Sequence, residues 1–249
     1  MSIHRRALLK AILFGTPLAG FACPCWASES VRVRGQLCSL WASISGVRID
    51  VDSRTGDSTL DRQLALEAHR IADAFGVSPG LKIVLGPGDK SNNALATTDT
   101  FVDNTRGTVL LGRELVFREL RENRRGWGGI AISGFLAHEF AHIYQFFSDY
   151  RSRLMKGSDT VKPTELHADF LAGYHLGLKR RDGQAMDIGA FMDGIYFLGD
   201  QQVSDPNHHG TPDERRRAVR EGYRIGIQRG KRPIAEIAEE GVKTVRTLL

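Results

Sequence analysis

The chain has 249 residues, 41% of them hydrophobic and 25% charged, a balance that excludes a low-complexity polymer and allows a substantial core. Its formal charge of +5 excludes less than it suggests, because residues 1–27 hold Arg5, Arg6 and Lys10 with no acid; residues 28–249 carry only +2, and nucleic acid drops out as a default partner. Cys23 and Cys25 fall in the same stretch, so Cys38 alone remains beyond it, which excludes an internal disulfide or a zinc–thiolate cluster there and leaves a small buried apolar residue as its reading.

His4-Arg5-Arg6-Ala7-Leu8-Leu9-Lys10 leads into an apolar stretch from Ala11 to Ala22, too short for a comfortable membrane span. A charged start, a moderate apolar core and small residues near Ala27 describe a secretory signal peptide over residues 1–27, with cleavage expected after Ala27. The Arg5-Arg6 pair with Leu8, Leu9 and Lys10 resembles a twin-arginine leader, which implies export of an already folded protein to the periplasm or beyond. The competing readings are an ordinary Sec leader, an uncleaved anchor and a lipidated Cys23. Membrane association is expected only through the leader, if it stays attached.

Residues 28–249 suit one domain. Alternation in Val31-Arg32-Val33-Arg34 and Arg48-Ile49-Asp50-Val51 predicts one or two strands between Val31 and Val51. Leu60 to Phe75 is amphipathic and helical, ended by Gly76, and Pro79-Gly80 turns the chain into a strand at Leu81–Leu85. Thr108 to Leu111 is a further strand. Helix dominates from Glu114 onward, with patterns at Met186–Leu198, Thr211–Gln228 and Pro233–Leu249. The sum is an α+β fold, a small sheet beside a mainly helical body.

Within that body, His138-Glu139-Phe140-Ala141-His142 carries the chemistry. Histidines four apart on a helix project from one face, where a single Zn²⁺ can accept both imidazoles. Zinc lowers the pKa of water at its open position toward ~7, and Glu139 between the ligands is placed to take the proton. The host helix, about Gly129 to Phe147, has Phe135, Leu136, Phe140, Ile143 and Phe147 on an apolar side, while His138, His142 and Gln145 share another stripe. The bland alternative is a pair of core histidines with Glu139 on a solvated edge. It is disfavoured because burying two imidazoles and a carboxylate without a partner is costly.

A third ligand is needed, and Pro163-Thr164-Glu165-Leu166-His167-Ala168-Asp169 is the candidate segment. Pro163 suits a first helical turn, and Glu165 and Asp169, four apart, point the same way. One carboxylate can bind metal while the other orients a ligand imidazole; the residues alone leave open which does which, and leave open a solvated acidic face. Ala172 and Gly173 allow close helix approach. His167 falls on another face and reads as a surface residue, and His69 and His175 read as structural residues away from any donor cluster.

HEFAH followed 23 residues later by ELHADFLAG resembles the gluzincin group of zinc peptidases, most nearly the neutral zinc metallopeptidases, related in pattern to the CAAX-prenyl and HtpX-like membrane peptidases. Asn93–Thr97 with Gly107–Gly112 is similar to that family's edge-strand region, and Gln145 matches a glutamine that follows its second histidine. Gly199-Asp200-Gln201-Gln202 and His209-Gly210-Thr211-Pro212 resemble its late segments, with Arg215 and Gly222-Tyr223 in step. The likeness covers roughly residues 90–226. It implies a zincin-like fold, one Zn²⁺ per chain held by His138, His142 and Glu165, Asp169 behind a ligand histidine, and His209 near the reacting carbonyl. Two departures stand against it: His208 precedes His209, so the register could slip by one, and the long membrane helices of the HtpX-like enzymes are missing.

Thr211-Pro212-Asp213-Glu214 is a capping box, so His209 sits on a loop ending at a fixed helix start, a suitable mount for a donor to an oxyanion. The alternative makes His208 and His209 ordinary loop residues. Arg215, Arg216, Arg217 and Arg220 read as a solvated basic face. The expectation is a periplasmic or secreted zinc metalloendopeptidase acting on protein or peptide, with Glu139 as general base and extended peptide pairing along Asn93–Thr97. The rivals are a non-catalytic, zinc-stabilised protein that binds peptide or a cell-envelope partner, and zinc hydrolysis of another amide such as a cell-wall crosslink. Oligomeric state is not legible.

Overall fold

Two strands come from the alternating residues near the N-terminal end: β1 (Glu29–Arg32) and β2 (Arg48–Asp52) pair antiparallel, Val31 opposite Ile49. The computed structural model describes residues 28–37, 46–86, 88, 90–122, 128–198, 201–202 and 204–249; the expected leader, Cys38 and the Gly199-Asp200 pair lie outside these. β3 (Gly80–Val84) pairs antiparallel with β2 and parallel with β5 (Thr108–Gly112), and β4 (Ala94–Thr97) closes the order β1-β2-β3-β5-β4 antiparallel to β5. β5, flanked on both sides, is buried at all five residues, which is why Val109, Leu110 and Leu111 run on without alternation, while the Thr108 hydroxyl donates to the Asp99 carbonyl.

β4 is the last strand of the sheet, and its outer edge is partly covered. Leu37 bridges Thr97, and the Thr98 N–H donates to the Gln36 carbonyl at 3.2 Å. The Asp99 carboxylate accepts from the N–H groups of Arg34 and Gly35 at 2.6 and 2.7 Å.

The helices among the described residues are α1 (Ser58–Phe75), α2 (Arg113–Glu122), α3 (Gly128–Phe146), α4 (Tyr150–Met155), α5 (Lys162–Arg181), α6 (Gly189–Leu198), α7 (Pro212–Arg229) and α8 (Ile234–Leu248). The architecture is α+β, as the residue patterns predict. Local signals set several boundaries. Asp57 caps α1 by accepting from the N–H groups of Thr59 and Leu60, and Gly76 ends it in the left-handed region at φ 63°. Thr211 and Glu214 form the expected capping box at α7, and Pro163 lies in the first turn of α5.

α3 and α5 differ from expectation in being buried on nearly every side. α3 packs against β4, β5, α1, α2, α5 and α6, so its small residues Ala131, Gly134, Ala137 and Ala141 are as enclosed as Phe135 and Phe140. Each large apolar side chain so buried contributes about 1.5–3 kcal/mol, which offsets the desolvation of the polar residues on the same helices. Against α5, α7 approaches backbone to backbone along a seam of glycines four apart. A Cβ at Gly222 would stand 1.9 Å from the Phe170 carbonyl oxygen, and one at Gly173 would stand 2.1 Å from that of Val219. This approach brings the start of α7 over the first turns of α5.

A buried polar tie joins the other side of the helical layer. Glu67 of α1 accepts from the Ser133 hydroxyl of α3 and from Lys179 Nζ at 2.6 Å, and its Oε1 lies 2.8 Å from His175 Nε2. Burial opposes the Glu67 charge, but His175 and Lys179 outweigh it and hold the carboxyl far below the usual range. His175 therefore does sit in a donor cluster, contrary to the sequence reading. Its periodicity placed it on a helix but could not show that α1 faces it.

Candidate metal centre

The i, i+4 spacing on α3 brings the two histidines together as expected. Nε2 of His138 and Nε2 of His142 are 3.0 Å apart, with their rings edge to face at 84°. Glu165, from the first turn of α5, meets them both: Oε2 lies 3.3 Å from His138 Nε2 and Oε1 lies 3.3 Å from His142 Nε2. His138, His142 and Glu165 form a buried group that could hold a metal ion.

Every member of this group is backed by a further residue. Asp169, one turn beyond Glu165, places Oδ1 2.9 Å from His138 Nδ1. Arg215 of α7 donates to Asp169 through Nε and Nη2 at 2.7 and 3.0 Å, and its Nη2 stands 3.6 Å from Glu165. His209 Nδ1 is 3.1 Å from Glu165 Oε2. Behind His142, Nδ1 faces Gln145 Oε1 at 2.9 Å.

The loop carrying His209 is fixed at both ends. The Val161 N–H donates to the Pro206 carbonyl at 3.0 Å, and Lys162 Nζ donates to Glu214 at 2.8 Å, joining the starts of α5 and α7. Of the neighbouring histidines it is His209 that stands against Glu165, while His208 is buried beside it.

Charge in this centre is strongly coupled. Burial opposes ionisation of Glu165, but His209, His142 and His138 outweigh it and hold the carboxyl well below its ordinary value. Asp169 is likewise penalised by burial and held low by Arg215 and His138. Burial works against a charged His138, yet Asp169 and Glu165 push it up to about 10. Asp169 and Arg215 compensate each other, and the Glu165 charge is left calling for a cation at the imidazole pair. A proton on His138 or a metal ion meets that need.

Glu139, between the two histidines, is 5% exposed; it and His138, at 6%, are the two most solvent-accessible members of the group. Its carboxylate is also close enough to Arg215 to help raise the guanidinium's pKa against the effect of burial.

Two sequence readings are overturned here. Arg215 is not part of a solvated basic face: it is 2% exposed and ion-paired inside the centre. His167 is not on the surface: it is fully buried, with Nδ1 3.1 Å from Gln145 Nε2 and Nε2 3.0 Å from the Ala238 carbonyl. Burial pushes its pKa down to about 4. Both errors have one cause. Helix periodicity predicts one exposed face, whereas α8 covers the His167 face of α5 and α7 lays its own first turn, with Arg215, against α5. A signal for Arg215 was present, since a cation in the first turn of a helix opposes the helix dipole and calls for a compensating anion.

Compared with protein-family models, with curated proteins and with solved structures, the chain finds no match in any of the three.

Proposed function

We propose that this chain is a zinc-dependent metalloendopeptidase with a zincin-like site, the activity that its HEFAH and ELHAD segments suggest by resemblance. The observation that carries the reading is the convergence of two imidazole nitrogens and one carboxylate, each backed by a partner. The donor set fits zinc. Ligand bonds of about 2.0–2.2 Å in a tetrahedral site put ligand atoms about 3.3–3.6 Å apart; the separations here, 3.0, 3.3 and 3.3 Å, lie at or just under the short end of that range. Imidazole pairs suit zinc better than calcium or magnesium, and three protein ligands leave a position open, as catalytic rather than structural sites do.

His138, His142 and Glu165 would hold the ion, which when bound supplies a Lewis acid that acidifies water and polarises a carbonyl. The chain's own residues do the rest. Glu139 takes a proton from the attacking water at its carboxylate and delivers it to the leaving amine nitrogen. Asp169 keeps a proton on His138 Nδ1, so that Nε2 presents its lone pair. His209 and Arg215 hold the Glu165 carboxylate in place, and His209 assists as charge builds on the carbonyl oxygen. β4 offers the edge for an extended peptide on the sheet side of α3, once residues 34–37 yield the part they cover. The leader-like residues 1–27 favour a periplasmic or secreted site of action.

The deep burial of the centre favours a second reading, a non-catalytic protein that keeps zinc for folding and holds a peptide or envelope partner. Unfolded casein incubated with the zinc-loaded protein, with and without chelator, separates the two. Cleavage abolished by chelator and by Glu139→Gln, with zinc content kept near one per chain, supports the peptidase. Zinc-loaded wild type that leaves casein and mixed peptides intact supports the binder, and full activity in Glu139→Gln removes the mechanism.

A further inference from the structure

We infer that Gln145 and His167 are positioning residues that lock His142 in the tautomer presenting its Nε2 lone pair to the ion, and that they anchor this lock on the backbone of α8. This rests on the metal reading of the centre.

The hydrogen-bond directions follow from the two carbonyls in the chain of contacts. Gln145 Nε2 lies 2.9 Å from the Thr164 carbonyl oxygen, which can only accept, so the amide nitrogen must face it. Gln145 Oε1 therefore faces His142 Nδ1 at 2.9 Å, and an amide oxygen only accepts, so Nδ1 carries the proton. A neutral imidazole protonated at Nδ1 has its lone pair on Nε2, the nitrogen turned toward His138 and Glu165. The remaining amide proton of Gln145 points at His167 Nδ1, 3.1 Å away, which must accept. His167 then donates from Nε2 to the Ala238 carbonyl at 3.0 Å, inside α8. Flipping the Gln145 amide would set its oxygen against two acceptors, the Thr164 carbonyl and His167 Nδ1, so the whole chain has one consistent set of directions.

The outer end of this chain is held from two sides. Tyr150 of α4 stacks on the His167 ring at 5.6 Å and 18°, and its hydroxyl donates to Glu239 of α8 at 2.9 Å. Arg153 pairs with the same carboxylate through both terminal nitrogens, at 2.6 and 3.0 Å. Gly241 lets α8 come this close: a Cβ there would stand 2.9 Å from His167 Cδ2 and 3.1 Å from its Nε2. None of Tyr150, Glu239 or Gly241 belongs to the HExxH or ExxxD pattern, yet their placement governs the second zinc histidine.

The test reads metal affinity and tautomer rather than activity. Gln145→Leu removes the acceptor for His142, and zinc affinity measured by chelator competition should fall about 10–100-fold, the usual loss for a partner behind a metal-ligating histidine. Gln145→Glu keeps an acceptor at the His142 side but sets an oxygen against the Thr164 carbonyl, so it should recover only part of that loss. Gly241→Ala, whose methyl would meet both Phe170 and His167 and touches no ligand, should weaken zinc binding by displacing His167 from the Ala238 carbonyl. The Co²⁺-loaded variants should show altered visible absorption while keeping the wild-type far-UV circular dichroism. Wild-type affinity in both Gln145→Leu and Gly241→Ala overturns the proposal. Should either variant fail to fold, nitrogen-15 histidine spectra of the wild-type protein decide: His167 protonated at Nε2 and zinc-loaded His142 at Nδ1 support it, and either of the opposite tautomers overturns it. A wild-type protein that binds no zinc, with His167 in the expected tautomer, would instead sink the metal reading.

Discussion

Arg215→Met measures how much of the centre's stability rests on one buried cation. The guanidinium is 2% exposed, makes hydrogen bonds of 2.7 and 3.0 Å to Asp169 and stands 3.6 Å from Glu165. Methionine fills much of the same space without the charge, leaving Asp169 as a buried anion with His138 as its remaining partner among the described residues. Removing one member of a buried ion pair costs about 3–5 kcal/mol. At about 2–4 °C per kcal/mol for a protein of this size, the melting temperature should fall by about 6–20 °C. The assay is thermal unfolding by circular dichroism at neutral pH and saturating zinc. Asp169→Asn combined with Arg215→Met removes the stranded anion while keeping an oxygen for His138, so the double variant should be more stable than Arg215→Met alone. A fall of less than about 2 °C in the single variant, or no recovery in the double, would refute the view that this pair braces the centre.

Gly222→Ala, which would normally favour a helix, should instead destabilise by about 1–3 kcal/mol, because its methyl meets the Phe170 carbonyl at 1.9 Å; a urea midpoint at or above wild type would contradict the close α5–α7 seam. Acid should destabilise the metal-free protein over two pH ranges, to both of which the Glu67 cluster contributes. Burial lowers the His175 pKa and the Glu67 carboxyl is held low, so the unfolded chain binds protons first at both. Stability is then present above the unfolded values of about 6.5 and 4.3 and declines as pH falls below each. Glu67→Gln should flatten the lower part of that decline in urea midpoints taken against pH, and an unchanged profile would show that the cluster does not couple to folding. Finally, zinc that binds only the folded state should add about 2.7 kcal/mol at one hundred times its dissociation constant. A melting temperature indifferent to zinc concentration and to chelator would mean that the three donors hold no ion.

Much of this molecule is legible from local sequence, because local physics decides it. Gly76 ends α1, Thr211 and Glu214 start α7, and four-residue spacing alone puts His138 beside His142. Even the meeting of Glu165 with that pair follows from a second short motif, once resemblance is allowed to choose between Glu165 and Asp169. What the chain could not disclose was which faces become interior when a third and fourth helix arrive. Arg215 and His167 read as solvated by periodicity, yet α7 slides along the glycine seam onto α5, and α8 closes over His167 at Gly241. Glu67 and His175 lie 108 residues apart and meet only because α1 folds back across α3 and α5. Burial of a polar residue is a property of its neighbours rather than of its own segment. The donor set, with Asp169, His209 and Gln145 around it, was therefore written in the sequence, whereas the burial of Arg215 and His167 against it was decided by tertiary packing.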